Sequence, residues 1–334
     1  MFSSIFNSKV GQKLHLKFFA VATLIALPAI VILRIRVPRN VEPYYVRFTT
    51  PPRPSLILGT SRGAQGLVPS EIESGVGEQF AKPLLNFSFT ASHSRWGPSY
   101  YKAFLKKLSS DSKPGLFILE VSPLSLVVDK LKKRTFGAQF STLDREDLLP
   151  ESNKGLLNCL KFMNLNPNLD YVRCRHSRAL FELFYRPLPD RSPVYNLRQD
   201  GWLEVSLDSL SKPEERIAKA RKHEKMLRTT QWSTVREHWL KKSIIKLKEY
   251  GSVYMVRLPT DLAFKEAEDA SYGDFDQRMQ EISKELNTPY FNYMLDAGKY
   301  RTTEGSHLYR VSSRMLSADL GLKISKEASQ TLIE

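Results

Sequence analysis

Cysteine is scarce in this chain, which has only Cys159 and Cys174 among its 334 residues. No Cys/His spacing typical of a structural zinc site is present, so the sequence predicts no metal centre. The two thiols are 15 residues apart. In an extracytoplasmic domain they can form a disulfide, and otherwise they are free buried thiols; the sequence leaves both alternatives open.

Two further signatures are missing. The glycine-containing segment Gly59–Gly66 lacks the Gly-Lys-Ser/Thr ending of a nucleotide P-loop, which argues against phosphate binding there. No zinc-finger or RNA-binding motif accompanies the basic composition, so nucleic acid is not an expected partner. No cofactor-binding motif stands out either, and no cofactor is predicted.

Acidic residues are few relative to basic ones: 35 Asp and Glu stand against 50 Lys and Arg, for a formal net charge of +15. A positive balance of this size suits an anionic membrane surface or an acidic polymer such as a polysaccharide. The alternative is that most of these cations are simply solvated surface residues.

The chain is poor in long hydrophobic runs except near its start, where Phe18–Leu33 is almost wholly apolar and has basic residues on both sides. Together with the preceding Leu14–Leu16, this run approaches the roughly 20 residues that cross a bilayer. Arg34 and Arg36 follow it in place of a small-residue cleavage site. We therefore predict an uncleaved transmembrane anchor within residues 1–40.

Short apolar segments alternate with helical patterns through most of the remaining sequence, which is typical of βαβ units and a parallel sheet. We predict a five-stranded, flavodoxin-like, three-layer α/β/α sandwich. The expected organisation is a cytoplasmic tail and anchor (1–40), a linker (41–54), the α/β domain (55–325) and a C-terminal tail (326–334). The expected strands are 56–58, 84–89, 116–121, 252–258 and 289–294.

Regular alternation is lost between about residues 124 and 231, which we interpret as a partly helical insertion that caps the site. Aromatic and basic residues are mixed within it, namely Tyr171, Arg173, Arg175, His176, Arg178 and Tyr185. This mixture suits an anionic glycan or a lipid headgroup. A solvated helix face with a few packed aromatic residues explains it equally well.

In the segment Ser55–Gly66, Ser61 follows a predicted strand. Leu56–Leu58 has the composition of a buried strand, and Gly59 ends it. Ser70, followed three residues later by Glu73, predicts a capping box at the next helix. Ser61 is therefore expected in a strand-to-helix turn, at the sheet edge where open α/β folds bind their ligands.

A second segment near the C-terminus supplies the partners of a nucleophilic serine. His307 precedes a helical pattern formed by Val311, Met315, Leu316 and Leu320, and Glu304 lies three residues before it. A histidine can accept the proton of a serine hydroxyl, and a carboxylate on its other ring nitrogen fixes the tautomer. We predict a triad formed by Ser61, His307 and Glu304.

These two segments resemble the SGNH (GDSL-like) hydrolase superfamily. Gly59-Thr60-Ser61-Arg62 resembles its nucleophile block, and Glu304-x-x-His307 resembles its Asp-x-x-His block, with glutamate in place of aspartate. The membrane-anchored branch, which includes D-alanine transfer and alginate O-acetylation proteins, is the most similar. This resemblance implies an extracytoplasmic domain on a single-pass anchor in the cytoplasmic membrane, a glycan or acidic envelope polymer as substrate, and an integral membrane O-acyltransferase as acyl donor.

The oxyanion hole of that superfamily includes a glycine and an asparagine that are not plainly present here. The segments after the second and third predicted strands offer substitutes, namely the backbone or hydroxyl groups of Thr90, Ala91 and Ser122. Arg62 and Asn86 complete the expected oxyanion and substrate-binding set. Loss of one oxyanion donor can cost about 3 kcal/mol of transition-state stabilisation, which argues against efficient general hydrolysis and leaves acyl transfer to a placed acceptor, or a degenerate non-catalytic domain, as alternatives.

The sequence thus leaves three interpretations. The first is a membrane-anchored serine esterase or O-acyltransferase that acts on a cell-envelope polymer. The second is a catalytically degenerate binding or scaffold protein of the same fold. The third, a basic surface protein that binds nucleic acid or phospholipid, rests on net charge alone.

Overall fold

In a computed structural model, residues 9–36, 47, 50–91, 94–130, 194–207 and 210–331 are described. The chain forms an α/β fold around a five-stranded parallel sheet of strand order β2-β1-β3-β8-β9. The strands of this sheet are β1 (Ser55–Leu58), β2 (Leu84–Asn86), β3 (Gly115–Glu120), β8 (Gly251–Arg257) and β9 (Tyr290–Asn292). The predicted five-stranded parallel sheet is confirmed, and its strand order is that of flavodoxin-like folds.

Helices connect these strands, and two short antiparallel pairs lie outside the sheet. The helices are α1 (Lys9–Arg36), α2 (Ser61–Gly66), α3 (Pro69–Val76), α4 (Pro98–Leu105), α5 (Pro123–Leu126), α6 (Pro213–Arg228), α7 (Thr234–Lys248), α8 (Leu262–Tyr272), α9 (Phe275–Glu285) and α10 (Arg310–Thr331). The antiparallel strands are β4 (Val127–Asp129) with β7 (Thr230–Trp232), and β5 (Val194–Leu197) with β6 (Leu203–Ser206). α10 continues to Thr331, so the expected tail from residue 326 is largely helical.

Both faces of the sheet are buried, because side chains of β3 alternate between two hydrophobic clusters. Phe117 and Leu119 pack with α4, α7 and α9 on one face. Leu116 and Ile118 pack with α3 and α10 on the other. This alternation explains why the central strands are continuous apolar runs: each side chain of a doubly covered strand faces a protein layer.

The edge strand β2 is short, and its outward donors are occupied. The N–H of Leu84 donates to the Glu73 carboxyl, and the N–H of Asn86 donates to the Asp200 carbonyl at 2.8 Å. Asp200 lies in the β5–β6 hairpin turn. The predicted capping box of Ser70 and Glu73 is wrong, because α3 begins at Pro69 without a side-chain cap and Glu73 supports β2 instead.

The final helix differs from its expected packing. Leu316, Leu320 and Ile324 are fully buried against the sheet, whereas Val311 and Met315 are 52% and 63% exposed. The predicted stripe therefore included two residues of the outer face. α10 also packs extensively along α3, where Gly321 lies against Gly75.

The N-terminal helix α1 forms where the anchor was predicted, and apolar side chains such as Phe18, Leu24 and Ile25 are exposed on it. In the described part of the chain, no helix satisfies the length and apolarity that a bilayer span requires. The expectation of a transmembrane helix is thus unsupported by the structure.

Part of the predicted insertion is described. Its two ends meet, since β4 and β7 pair across it and Lys130 N–H donates to the Thr229 carbonyl at 2.9 Å. Several sequence features fall outside the described residues, namely Cys159, Cys174 and the aromatic and basic set of Tyr171, Arg173, Arg175, His176, Arg178 and Tyr185.

Candidate active site

Ser61 lies immediately after the carboxyl end of β1, as the first residue of the short helix α2. The chain turns at Gly59, which has a φ of 154° and lies so close to Glu120 that an added Cβ would be 2.6 Å from the Cβ of that residue. A glycine is needed here for both its conformation and its size. The turn leaves Ser61 half-buried at the sheet edge, between the ends of β1 and β3.

The three residues of the predicted triad are joined by hydrogen bonds. His307 Nε2 is 2.9 Å from Ser61 Oγ, although 246 residues separate them in sequence. His307 Nδ1 is 2.6 Å from Glu304 Oε1. With its proton on Nδ1, where it donates to Glu304, the imidazole can accept the serine proton at Nε2. The geometry is therefore that of a nucleophile, a general base and an orienting acid.

Further hydroxyl groups surround the Glu304 carboxylate. Thr303 Oγ1 donates to Oε2, and Ser306 Oγ donates to Oε1. Burial raises the pKa of Glu304, but the hydrogen bond and charge of His307 and the two hydroxyl donors outweigh it and hold the pKa below its ordinary range. Glu304 is thus kept ionised beside His307.

Thr303 and Ser306 were missed by the sequence analysis, although their positions next to the predicted acid and base were visible. They belong to a tight loop closed by a β-bridge between Thr302 and Leu308 and by the Thr303 N–H donating to the His307 carbonyl at 2.8 Å. Gly305 supplies a positive φ of 108° within this loop. The loop therefore fixes the relative orientation of Glu304 and His307 through its own backbone.

Glu120, at the end of β3, supports the turn that carries Ser61. Its Oε2 accepts hydrogen bonds from the Thr60 N–H at 2.7 Å and from Thr60 Oγ1 at 2.8 Å. Glu120 is fully buried, and Thr60 is 3% exposed. The sequence showed Glu120 after the third strand but gave no reason to join it to Thr60, since the two meet only across the sheet.

Replacing Glu120 by leucine is expected to lower the free energy of unfolding by about 1–3 kcal/mol, because the buried Thr60 N–H and hydroxyl lose their acceptor. The matched control is Glu120→Gln, whose amide oxygen can still accept both hydrogen bonds and which should lose less. Urea unfolding of both variants measures the difference. Equal stability of the two would contradict the role assigned to this acceptor.

The side chain of Asn86, an expected oxyanion donor, forms structural hydrogen bonds instead. Its side-chain amide donates to the carbonyl oxygens of Gly63 at 2.9 Å and Leu67 at 2.8 Å, and the residue is fully buried. Both amide hydrogens are therefore used to hold the end of α2. With these hydrogens in use, the side-chain amide of Asn86 has a structural role, and its expected part in substrate binding stays a prediction.

Arg62 and Ser122 also make structural contacts. Arg62 is 7% exposed and forms an ion pair with Glu268 at 2.6 Å. Ser122 is 2% exposed and caps α5, where its N–H donates to Ser125 Oγ. Both side chains are nearly inaccessible at the surface, and the roles expected for them stay predictions.

Thr90 and Ala91 are the members of the expected set that keep partial exposure near the site. The preceding Phe89 N–H donates to the Gly59 carbonyl at 3.1 Å, so this segment runs beside the turn that carries Ser61. The Ser61 N–H lies at the first position of α2, where no intrahelical acceptor exists. These backbone groups remain the candidate oxyanion donors.

In the described ranges, no group of three or more His, Cys, Asp or Glu side chains is arranged to hold a metal ion. His93 is outside the described residues. His223 packs on the Phe264 ring with centroids 5.4 Å apart, as expected for a packing residue.

A comparison with known protein families found no matching family model, and a comparison with curated proteins found no significant match. The resemblance to the SGNH superfamily therefore rests on the two short motifs, and on the way the fold brings them together at one edge of a parallel sheet.

Proposed function

We propose that this protein is a serine ester hydrolase or O-acyltransferase of SGNH type. The observation that carries the proposal is the continuous hydrogen-bonded chain from Ser61 through His307 to Glu304, with contacts of 2.9 and 2.6 Å. Serine, histidine and a carboxylate in this order are the components of nucleophilic acyl transfer on several unrelated folds. The family assignment is part of the proposal.

The proposed reaction has two half-reactions. In the first, Ser61 Oγ attacks the acyl carbonyl carbon while its proton passes to His307 Nε2; collapse of the tetrahedral intermediate expels the leaving alcohol, which takes that proton. In the second, water or an acceptor hydroxyl gives its proton to His307 and attacks the acyl-enzyme, which releases Ser61. Glu304 stabilises the imidazolium in both halves.

The substrate class follows from charge and from the resemblance. A net charge of +15 favours an acidic or glycan polymer of the cell envelope. We propose that the acyl group reaches Ser61 from an integral membrane O-acyltransferase, and that residues 1–40 attach the domain to the cytoplasmic membrane. The exposed apolar side chains of α1 support such attachment. Retention in the membrane fraction at alkaline pH, lost when residues 1–40 are deleted, would test it.

The function itself is tested by covalent labelling with a fluorophosphonate probe and by hydrolysis of p-nitrophenyl acetate. Labelling should map to the peptide that contains Ser61, and Ser70→Ala, at an exposed serine of the neighbouring helix, should leave it unchanged. If p-nitrophenyl acetate is not hydrolysed and the probe reacts with no residue or with another serine, the enzyme proposal is wrong.

One observation favours the second candidate function, a binding or scaffold protein with the same fold. Both amide hydrogens of Asn86 are donated to backbone carbonyls and Arg62 forms an ion pair with Glu268, which leaves backbone N–H groups as the main candidate oxyanion donors. A degenerate protein of this kind would keep the fold and the envelope partner but react with neither the probe nor the ester.

A further inference from the structure

Helix α8 contacts both halves of the candidate site. At its start, the Asp261 N–H donates to the Gly305 carbonyl at 2.8 Å, within the loop that carries His307. One turn further, Phe264 packs so closely on Gly305 that an added Cβ there would lie 2.5 Å from its ring. The first part of α8 therefore packs against the loop that carries His307.

The same face of α8 reaches the nucleophile side. Glu268 follows Phe264 by four residues and so projects from the same side of the helix. Its Oε1 is 2.6 Å from Arg62 Nη2, and Arg62 is the residue directly after Ser61. Both side chains are nearly inaccessible, at 8% exposure for Arg62 and 0% for Glu268. This ion pair links α8 to the first turn of α2.

Glu268 is held as an anion chiefly by two arginines, Arg62 and Arg257. Its Oε2 accepts from Arg257 at 3.0 Å, and His223 Nε2 lies 3.5 Å from Oε1. Burial raises the pKa of Glu268, but the charges of Arg62 and Arg257 and the contact with His223 hold it well below its ordinary range. A buried carboxylate that remains ionised can orient Arg62 at all ordinary pH values.

We propose that Glu268, acting through Arg62, is a positioning residue that sets the distance between Ser61 and His307. Asp261 and Glu268 are two helical turns apart, so a single rigid helix of about 10 Å spans the two halves of the triad. The proposal rests on the proposed function, because it assigns these residues a part in acyl transfer. Glu268 lies in neither of the two sequence motifs, so the motifs alone do not reveal this support for the triad.

Arg257 offers a matched control, because it binds the same carboxylate without touching the nucleophile turn. It lies at the end of β8, pairs with Glu268 at 3.0 Å and with Asp276 at 2.7 Å, and stacks on Phe275. Loss of Arg257 removes a buried cation from Glu268 just as loss of Arg62 does. A general loss of stability would therefore affect both variants, whereas mispositioning of Ser61 would affect only one.

The experiment compares Arg62→Met with Arg257→Met in p-nitrophenyl acetate hydrolysis, at a temperature where circular dichroism shows both folded. Arg62→Met is expected to lower kcat by about 10- to 100-fold with little change in KM, since small displacements of reacting groups have effects of this size. Arg257→Met should lose clearly less kcat than Arg62→Met, because Glu268 remains paired with Arg62. Glu268→Gln added to Arg62→Met should cause no further loss of kcat, because the two residues act as one unit.

Equal kcat losses in Arg62→Met and Arg257→Met, or a folded Arg62→Met with wild-type kcat, would overturn the proposal. If Arg62→Met does not fold, Arg62→Lys is tested in its place. Lysine keeps the positive charge but lacks the planar guanidinium group with its paired N–H donors. A kcat of Arg62→Lys about 3- to 10-fold below wild type then supports the positioning role, and an unchanged kcat refutes it. Absence of wild-type hydrolysis and labelling would instead show that the proposed function fails.

Discussion

Ser61→Ala is expected to abolish covalent labelling by the fluorophosphonate and to lower kcat for p-nitrophenyl acetate by about 10⁴-fold or more. Alanine removes the oxygen that forms the acyl-enzyme, while His307 and Glu304 keep their mutual contact at 2.6 Å. The residual rate should equal that of His307→Ala and of the double variant, because members of a triad act as a unit. Steady-state kinetics on the purified protein measures all three rates.

The fold of Ser61→Ala should be intact, which separates loss of chemistry from loss of structure. Ser61 is half-buried, and its hydroxyl forms a hydrogen bond with His307 Nε2 at 2.9 Å. The thermal midpoint should therefore shift by only a few degrees. A variant that keeps more than a tenth of the wild-type kcat would place the nucleophile at another residue.

Glu304→Gln has the second largest expected effect, a loss of about 10³-fold in kcat with an intact nucleophile. The neutral amide cannot stabilise the imidazolium of His307, and its NH₂ group can favour the wrong tautomer of the ring. The comparison variant is Glu304→Asp, which restores the residue expected at this position of the motif and should retain more activity. Equal rates for wild type and Glu304→Gln would remove Glu304 from the mechanism.

Glu304 also gives the folded protein a pH dependence whose sign follows from its pKa. Because the pKa is lower in the folded protein than in the unfolded chain, ionisation of Glu304 stabilises the fold above about pH 4.5. This contribution is lost progressively as the pH falls below that value. Thermal midpoints of wild type and Glu304→Gln should therefore converge between pH 7 and pH 3, and a gap that widens on acidification would contradict the assignment.

The sheet could be predicted because its strands are continuous apolar runs separated by helical patterns. Leu56–Leu58 and the segment around Phe117 are buried on both faces, so their composition alone marks them as central strands. The triad could be predicted for a related reason. In a parallel sheet the carboxyl ends of all strands lie at one edge, which brings Ser61 and His307 together despite their separation in sequence.

The partners of polar side chains could not be predicted in the same way. Arg62 stands beside Ser61 in sequence and was taken for a substrate contact, but its partner Glu268 lies on a distant helix. Asn86 is the last residue of β2 and was expected in the oxyanion and substrate-binding set, yet its side-chain amide donates to the carbonyls of Gly63 and Leu67. The partner of a polar side chain depends on which residues the fold brings close to it. Residue type and spacing in the sequence do not contain this information.

The occupied outer edge of β2 has a consequence for association between copies of this protein. A parallel sheet that ends in an unprotected strand can add a strand from another molecule, which leads to open-ended aggregation. On β2, the Glu73 carboxyl and the Asp200 carbonyl already accept the donors of Leu84 and Asn86. An incoming strand would have to displace both before it could pair, so this side of the sheet is closed to polymerisation.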